Sequence, residues 1–178
     1  MSLPEIVVPL TEPETEWVRG RALQKVSPTR SHALLQLAMA SALHDWAGDR
    51  GEVGTEWRFV VSPPGQGARP LVPDVAYVDA RRLHGLRGEE LEVPRLTPDV
   101  VVEVLSPADR RIDVESKIAT YLAAGSRLVV IVDAQRHVVE LHDGDGVATR
   151  HRGQDVEHAA LPGFRVSVAD LFDRIAPP

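Results

Sequence analysis

The distribution of apolar and polar residues along the chain predicts helices that alternate with short strands. Residues 31–47 are rich in Ala and Leu, so we predict a first helix there, ended by Gly48. Its apolar side is predicted to carry Leu34, Leu37, Leu43 and Trp46. A second helix is predicted from Ser106 to Ala124, because proline suits a first helical turn and Gly125 stops the pattern.

Runs dominated by Val, Ile and Leu predict strands, several of them covered on both faces as in the middle of a sheet. The predicted strands cover residues 56–62, 73–78, 98–105, 127–133, 137–142 and 164–168. A short last helix is predicted at 168–175, and residues 63–70 are predicted to form an exposed loop. Residues 1–15 are polar and contain several prolines, which predicts an irregular N-terminal arm.

The composition is that of a globular α/β or α+β protein. The chain has 178 residues, 43% of them hydrophobic and 26% charged, so we expect a single domain over 1–178 with a continuous apolar core. It has no cysteine, which excludes disulfides, thiolate chemistry and cysteine zinc sites. No leader-like start and no stretch of membrane-spanning length is visible, so we expect a cytoplasmic protein with no membrane partner.

The formal net charge of −6 argues against a protein that coats nucleic acid without specificity, because such binding needs a basic face. It does not exclude a nuclease, since metal-binding carboxylates make a nuclease site locally acidic. Two arginine clusters could guide a phosphate backbone: Arg81, Arg82 and Arg87 in one, Arg110 and Arg111 in the other. For either cluster alone, an ordinary solvated surface is the better explanation.

Glu103 is the chemical anomaly of the chain, because it interrupts the apolar run Val-Val-Val-Glu-Val-Leu. With the two-residue period of a strand it shares its sheet face with Val101 and Leu105. A buried charge costs several kcal/mol unless it is paired or coordinates a metal, so a compensating partner is expected. The alternative is a glutamate on a sheet edge that reaches solvent or an arginine.

Asp74 starts the preceding covered strand and would lie beside Glu103 if the two strands are neighbours. Two carboxylates on adjacent strands suit a hard cation such as Mg²⁺, with water and phosphate oxygens completing an octahedron. The main-chain carbonyl of Val104 is placed to assist. Taken alone, Asp74 is better explained as part of a common Pro-Asp turn, and Asp99 repeats that pair without a reason to be catalytic.

Lys117 belongs to a polar stripe of the second helix, together with Asp113 and Tyr121 at successive four-residue spacings. This stripe borders an apolar arc of Ile112, Val114, Ile118, Ala119 and Leu122. A helix that follows the Glu103 strand can return its side chains to the end of that strand, where Lys117 could orient or deprotonate water and offset phosphate charge. The alternative is a surface Asp113–Lys117 ion pair worth about 0.3–0.5 kcal/mol.

The segments Pro-Asp-Val-Ala-Tyr-Val at 73–78 and Pro-Asp-Val-Val-Val-Glu-Val-Leu at 98–105, with the helix that follows, resemble the Uma-type family of restriction-endonuclease-like proteins in the PD-(D/E)XK superfamily. The resemblance extends upstream to Glu16 with Gly20 and to Ser31-His32, and covers most of 16–142. It implies a mixed central sheet flanked by helices, a metal-dependent nuclease activity, metal binding by Asp74 and Glu103, and a lysine that completes the site.

The chain departs from the superfamily pattern at one position. The pattern Glu-x-Lys would place lysine two residues after Glu103, where this chain has Leu105. In the Uma-type pattern the lysine lies on the following helix, which Lys117 matches. The first helix has no glutamate, although Glu16 could serve in its place. His32 falls in a matched stretch, but a structural hydrogen bond at a helix start is its better explanation.

The sequence therefore predicts an endonuclease that hydrolyses DNA phosphodiester bonds with Mg²⁺ or Mn²⁺. Asp74, Glu103 and Lys117 are the predicted catalytic residues, and Asp74, Glu103 and Val104 the predicted metal ligands. A homodimer is expected, because cleavage of a duplex needs two sites. The alternative is a catalytically silent nuclease fold that acts as a nucleic-acid-binding or assembly module.

Overall fold

The computed structural model describes residues 3–177 of the chain. The helices are α1 (Arg30–Ala47), α2 (Ala80–Leu83), α3 (Glu89–Glu92), α4 (Arg111–Ala123) and α5 (Val168–Asp173), with a single 3₁₀ turn at Gly48–Arg50. Among these described residues, no helix is long and apolar enough to cross a membrane. The long helices α1 and α4 are the two that sequence periodicity predicts.

Within residues 3–177, twelve strands form one large sheet and three small ones. The strands are β1 (Thr15–Val18), β2 (Arg21–Gln24), β3 (Gly51–Thr55), β4 (Phe59–Val61), β5 (Arg69–Leu71), β6 (Val75–Asp79), β7 (Val100–Leu105), β8 (Leu128–Asp133), β9 (Val138–His142), β10 (Val147–Arg150), β11 (Asp155–Val156) and β12 (Val166–Ser167). The pairs β1 with β2, β4 with β5 and β11 with β12 are the small sheets.

The central sheet has six strands in the order β10-β9-β8-β7-β6-β3. The pair β7–β8 is parallel because α4 connects the two strands as a crossover, and every other neighbouring pair is antiparallel. The predicted mixed sheet flanked by helices is thus confirmed. Strands β6 and β7 are neighbours, as expected, which places Asp74 at the start of β6 beside the strand that carries Glu103.

The two faces of the central sheet are covered by different helices. Residues Leu35, Met39 and Leu43 of α1 join one apolar cluster with Val100, Val102 and Val104 of β7, and α5 packs into the same cluster. Residues Ile118 and Tyr121 of α4 join a second cluster with Val101 of β7 and Ile131 of β8. Alternate residues of β7 therefore serve the two cores, as the two-residue period of a strand requires.

The predicted apolar side of α1 was partly wrong. Leu37 is 65% exposed, whereas Leu35 is fully buried. The side of α1 that faces the sheet carries His32, Leu35, Ala38, Met39, Leu43 and Ala47. Because Ala and Leu lie all around this helix, sequence periodicity leaves its orientation open, and packing against β6 and β7 decides it.

The start of the second helix was also predicted too early. Helix α4 begins at Arg111, because Ser106 and its neighbours form a turn in which the Ser106 N–H donates to the Asp109 carboxylate at 2.7 Å. Of the predicted strand 56–62, only residues 59–61 form a strand, β4. The segment 63–70 is a loop that ends in β5, where Arg69 is buried. Residues 3–14 of the predicted arm form no helix or strand, and residues 1–2 lie outside the described part.

Candidate active site

A cavity of about 930 Å³ opens at the end of β7 where α4 begins. The β1–β2 hairpin, residues 10–14 of the arm and the first turns of α1 form its other walls. Asp74, Glu103 and Lys117 all line this cavity. The structure therefore brings the three residues predicted to be catalytic into one space, although they lie on three different elements.

Lys117 lies on the side of α4 that faces the sheet, where its ammonium sits between two carboxylates. Its Nζ is 2.6 Å from Glu103 Oε1 and 3.0 Å from Glu16 Oε2. Burial opposes the charge of Lys117, but the negative charges of Glu103, Glu16 and Asp74 outweigh burial and raise its pKa. The surrounding carboxylates therefore hold Lys117 as a cation, which favours a role as a positive charge over the deprotonation of water.

Glu103 is 8% exposed and lies in a central strand, so the alternative of an edge glutamate that reaches solvent is wrong. Burial raises its pKa to about 8, against the opposing charge of Lys117. Its Oε1 atom has no hydrogen-bond partner among residues 3–177, so the contact with Lys117 is an ion pair without hydrogen-bond geometry. The burial of the Glu103 carboxylate is thus only partly offset by Lys117.

Asp74 is held by three groups from different parts of the chain. Its Oδ1 lies 2.6 Å from Lys25 Nζ, and its Oδ2 lies 3.2 Å from His32 Nε2. The Val104 N–H also donates to Oδ2, at 2.7 Å. Burial raises the pKa of Asp74, but the hydrogen bond with His32 and the charges of Lys25 and Lys117 outweigh it and lower that pKa. Asp74 is therefore ionised, and it fixes β6 to the end of β7.

Glu16 and His32 connect the predicted site to the first third of the chain. Glu16 accepts hydrogen bonds from the Val72 N–H at 2.7 Å and from Lys117 at 3.0 Å. It therefore lies at the predicted site, where it could serve as the acidic residue that the first helix lacks. His32 makes a hydrogen bond at a helix start, as expected, and its partner is Asp74 itself. Both residues therefore position members of the predicted catalytic group.

Sequence reasoning missed Lys25 and Gln36. Lys25, just after β2, contacts Asp74, and Gln36 of α1 donates to the Asp74 main-chain carbonyl at 2.8 Å. One signal in the sequence pointed to Lys25: the chain has 2 lysines among its 20 cationic side chains, and Lys117 is the other. Both lysines line the same cavity.

The alternative for Lys117, a surface ion pair with Asp113, is wrong. Asp113 and Lys117 are 6% and 9% exposed, and Asp113 pairs instead with Arg21 at 2.8 Å and Arg19 at 3.4 Å. The polar stripe of α4 is thus its buried side, whereas Ile112 of the predicted apolar arc is 47% exposed. Burying this stripe against the β1–β2 hairpin satisfies charges that would be solvated on an isolated helix.

The two arginine clusters differ in their position relative to the cavity. Arg81 pairs with Asp79 at 2.7 Å and Arg82 with Asp99 at 3.0 Å, so this cluster engages acidic residues away from the cavity. Arg110 lines the cavity, and Arg111 pairs with Glu115 at 2.7 Å. Asp99, the second Pro-Asp aspartate, lies at the opposite end of β7 from the cavity.

The donor set of the cavity fits a hard divalent cation. Among residues 3–177 no group of three or more acidic, His or Cys side chains is arranged to hold a metal by itself. A Mg²⁺ ion does not require one, because it keeps several waters and takes one or two carboxylates. Glu103 Oε1 is a buried carboxylate oxygen beside the Lys117 ammonium, and Asp74 and Val104 line the same cavity.

A mixed sheet between helices, with two carboxylates on adjacent strands and a lysine on the helix that follows them, defines a fold of the restriction-endonuclease type. The chain belongs to the Uma2 family, described as "Putative restriction endonuclease", whose model matches residues 5–169. A similar solved structure is that of a "putative nuclease belonging to DUF820" from Anabaena variabilis, with a TM-score of 0.83, 22% sequence identity and 95% of each chain covered. No curated protein matches the chain.

Proposed function

We propose that this protein is a Mg²⁺- or Mn²⁺-dependent endonuclease that hydrolyses DNA phosphodiester bonds. The observation that carries the proposal is the convergence of Asp74, Glu103 and Lys117 in one cavity of about 930 Å³. Membership of a restriction endonuclease family supports it. We also propose a homodimer that places one such cavity on each strand of a duplex.

In this proposal, Asp74, Glu103 and the Val104 carbonyl would hold the cation, and the chemistry it would supply there is activation of water and stabilisation of negative charge in the transition state. Lys117 stays protonated between Glu103 and Glu16, so its ammonium stabilises negative charge on the attacking or leaving oxygen. His32 and the Val104 N–H hold the Asp74 carboxylate in a fixed orientation. Arg110, at the rim of the cavity, supplies a cation for the incoming phosphate backbone.

The decisive experiment is cleavage of plasmid DNA in the presence of Mg²⁺, EDTA or Mn²⁺. We expect wild type to nick or cut the plasmid only with a divalent ion. Glu103→Gln and Lys117→Ala should each lose activity by a factor of about 100–1000, as when one group that stabilises a transition state is removed. Glu115→Gln, on the exposed side of the same helix, is the matched control and should cleave like wild type. Equal cleavage by wild type and Lys117→Ala would remove Lys117 from the mechanism.

A catalytically silent nucleic-acid-binding or assembly module is the second candidate. It is favoured by the two lysines, because Lys25 lies 2.6 Å from Asp74 and Lys117 lies 2.6 Å from Glu103. Each predicted metal-binding carboxylate therefore already has a cation without a metal. The net charge of −6 favours assembly over nucleic-acid binding. Titration calorimetry with Mn²⁺ separates the candidates. An enzyme should give a heat of metal binding that Glu103→Gln abolishes, whereas a silent module should give none. A parallel assay with RNA tests the choice of substrate.

A further inference from the structure

The two lysines of the chain lie in one cavity, and they contact different carboxylates. The other 18 cationic side chains are arginines. Lys117 pairs with Glu103 and Glu16, whereas Lys25 reaches the cavity from the β1–β2 side and pairs with Asp74 and Glu56. Lysine differs from arginine in carrying its charge on one compact atom, so it fits a position where several oxygens converge on a point.

Three oxygens of different origin converge on the Lys25 ammonium. Nζ lies 2.6 Å from Asp74 Oδ1, 2.7 Å from Glu56 Oε2 and 3.0 Å from the Val72 main-chain carbonyl. The side chain of Lys25 is 14% exposed and that of Asp74 is 3% exposed, so the contact is shielded from water on most sides. Gln36 holds the remaining carboxylate oxygen of Glu56 at 2.9 Å and the Asp74 carbonyl at 2.8 Å. These three oxygens form a cage around the Lys25 ammonium, and α1 supports this cage through Gln36.

Carboxylate and carbonyl oxygens are the ligands that hard divalent cations take in proteins. In this cage a monovalent cation, the ammonium, already fills the position, and it does so with three oxygens and short distances. Glu103 Oε1 is a separate carboxylate oxygen of the same cavity, 2.6 Å from the Lys117 ammonium. The cavity thus offers oxygen ligands at two places, and Lys25 occupies one of them.

We propose that the Lys25 ammonium occupies a divalent-cation position formed by Asp74, Glu56 and the Val72 carbonyl, so that the chain binds one divalent ion fewer than its oxygens could hold. The part of this inference that concerns catalysis rests on the proposed function. Phosphodiester cleavage often uses two ions, which neutralise the attacking and leaving oxygens. Lys25 supplies the charge of one of them as a permanent part of the chain.

The test is the number of Mn²⁺ ions bound per chain, measured by titration calorimetry on protein freed of metal with EDTA. Lys25→Met and Lys25→Gln both remove the charge and should each bind one ion more than wild type. Adding Glu56→Gln to Lys25→Met removes a ligand of the new position and should return the number to that of wild type. Arg165→Met is the matched control, because Arg165 also lies between two carboxylates, Asp155 at 3.2 Å and Glu157 at 3.0 Å, but on the surface. It should gain no ion.

Thermal unfolding of the same variants provides a second readout. Without metal, Lys25→Met leaves Asp74 and Glu56 without their cation and should unfold at a lower temperature than wild type. Mn²⁺ should raise the unfolding temperature of Lys25→Met by more than it raises that of wild type, because an ion replaces the lost ammonium. Lys25→Gln keeps hydrogen-bond donors near these oxygens and should be the more stable variant of the two in EDTA.

The outcomes separate this inference from the proposed function. If wild type binds Mn²⁺ and both Lys25 variants bind the same number of ions, the Lys25 inference is overturned and the nuclease proposal stands. If wild type binds none but the variants bind one, the Lys25 inference is supported and metal dependence of the native site is overturned. No binding by any variant overturns both. Failure of both Lys25 variants to fold in Mn²⁺ also overturns the inference, since an ion in that position would stabilise them.

Discussion

The two faces of the central sheet differ in what they bury. On the α1 side, Val100, Val102 and Val104 of β7 pack with aliphatic and aromatic side chains. On the α4 side, the same strand buries Glu103, whose neighbour on the helix is Lys117. Both faces stabilise the fold by removing apolar surface from water, but the second face also buries charges that only compensate one another when all are present. Along β7, the division between the two sides therefore lies in the charged residue, which only the α4 side carries.

The largest effect is expected when the charge balance on the α4 side is broken. Lys117→Met leaves Glu103 and Glu16 buried without their cation, and we expect a loss of about 3–5 kcal/mol in the free energy of unfolding. Chemical denaturation measures this loss. The double variant Glu103→Gln with Lys117→Met should recover part of it, because one uncompensated charge is removed along with the lysine. Additive losses in the double variant would show that the pair is not coupled.

A substitution on the α1 side should affect stability alone. Leu35→Ala removes a fully buried side chain and should lower the free energy of unfolding by about 2–5 kcal/mol. Leu37→Ala, two residues along the same helix and 65% exposed, should stay within about 0.5 kcal/mol of wild type. Both variants should bind Mn²⁺ like wild type when folded. A changed Mn²⁺ affinity in Leu35→Ala would contradict the division between the two faces.

Tyr121 tests whether every polar group on the α4 side is needed. Its hydroxyl is buried and makes no hydrogen bond of good geometry among the described residues, and burial together with the neighbouring Glu103 raises its pKa well above the ordinary value. Tyr121→Phe removes an unsatisfied polar group without changing the packing of the ring. We therefore expect the free energy of unfolding to rise by roughly 1 kcal/mol. A loss of stability in the denaturation curve would mean that the hydroxyl has a partner in solution.

The smallest effect is expected from an ion pair on the exposed side of α4. Arg111 and Glu115 lie 2.7 Å apart, at side-chain exposures of 80% and 57%. Arg111→Ala should unfold at nearly the same denaturant concentration as wild type, and high salt should abolish even a small difference. Comparison with Lys117→Met on the same helix then measures how much burial changes the value of one ion pair. A loss as large as that of Lys117→Met would contradict the comparison.

Much of the fold could be predicted because it follows from local patterns. The runs at 98–105 and 127–133 are nearly all apolar, which predicted the central strands β7 and β8. Glu103 stood out within its strand, because a charge among Val residues requires a partner wherever the strand lies. The orientation of α1 and the start of α4 could not be predicted in the same way. The orientation of α1 depends on the sheet surface that it packs against, and the start of α4 depends on the turn between Ser106 and Asp109. Neither produces a periodic pattern in the sequence.

The sequence by itself determined the central strands β7 and β8, the two long helices and the anomaly at Glu103, since each rests on residues close together along the chain. The tertiary structure alone decided which charges compensate one another. Lys25 meets Asp74 across 49 residues, and Glu16 meets Lys117 across 101. An ion pair has no preferred spacing in sequence, because its partners need only be near in space. For this reason the partner of Lys25 became visible only in the folded chain, at the carboxylate that the sequence had already singled out.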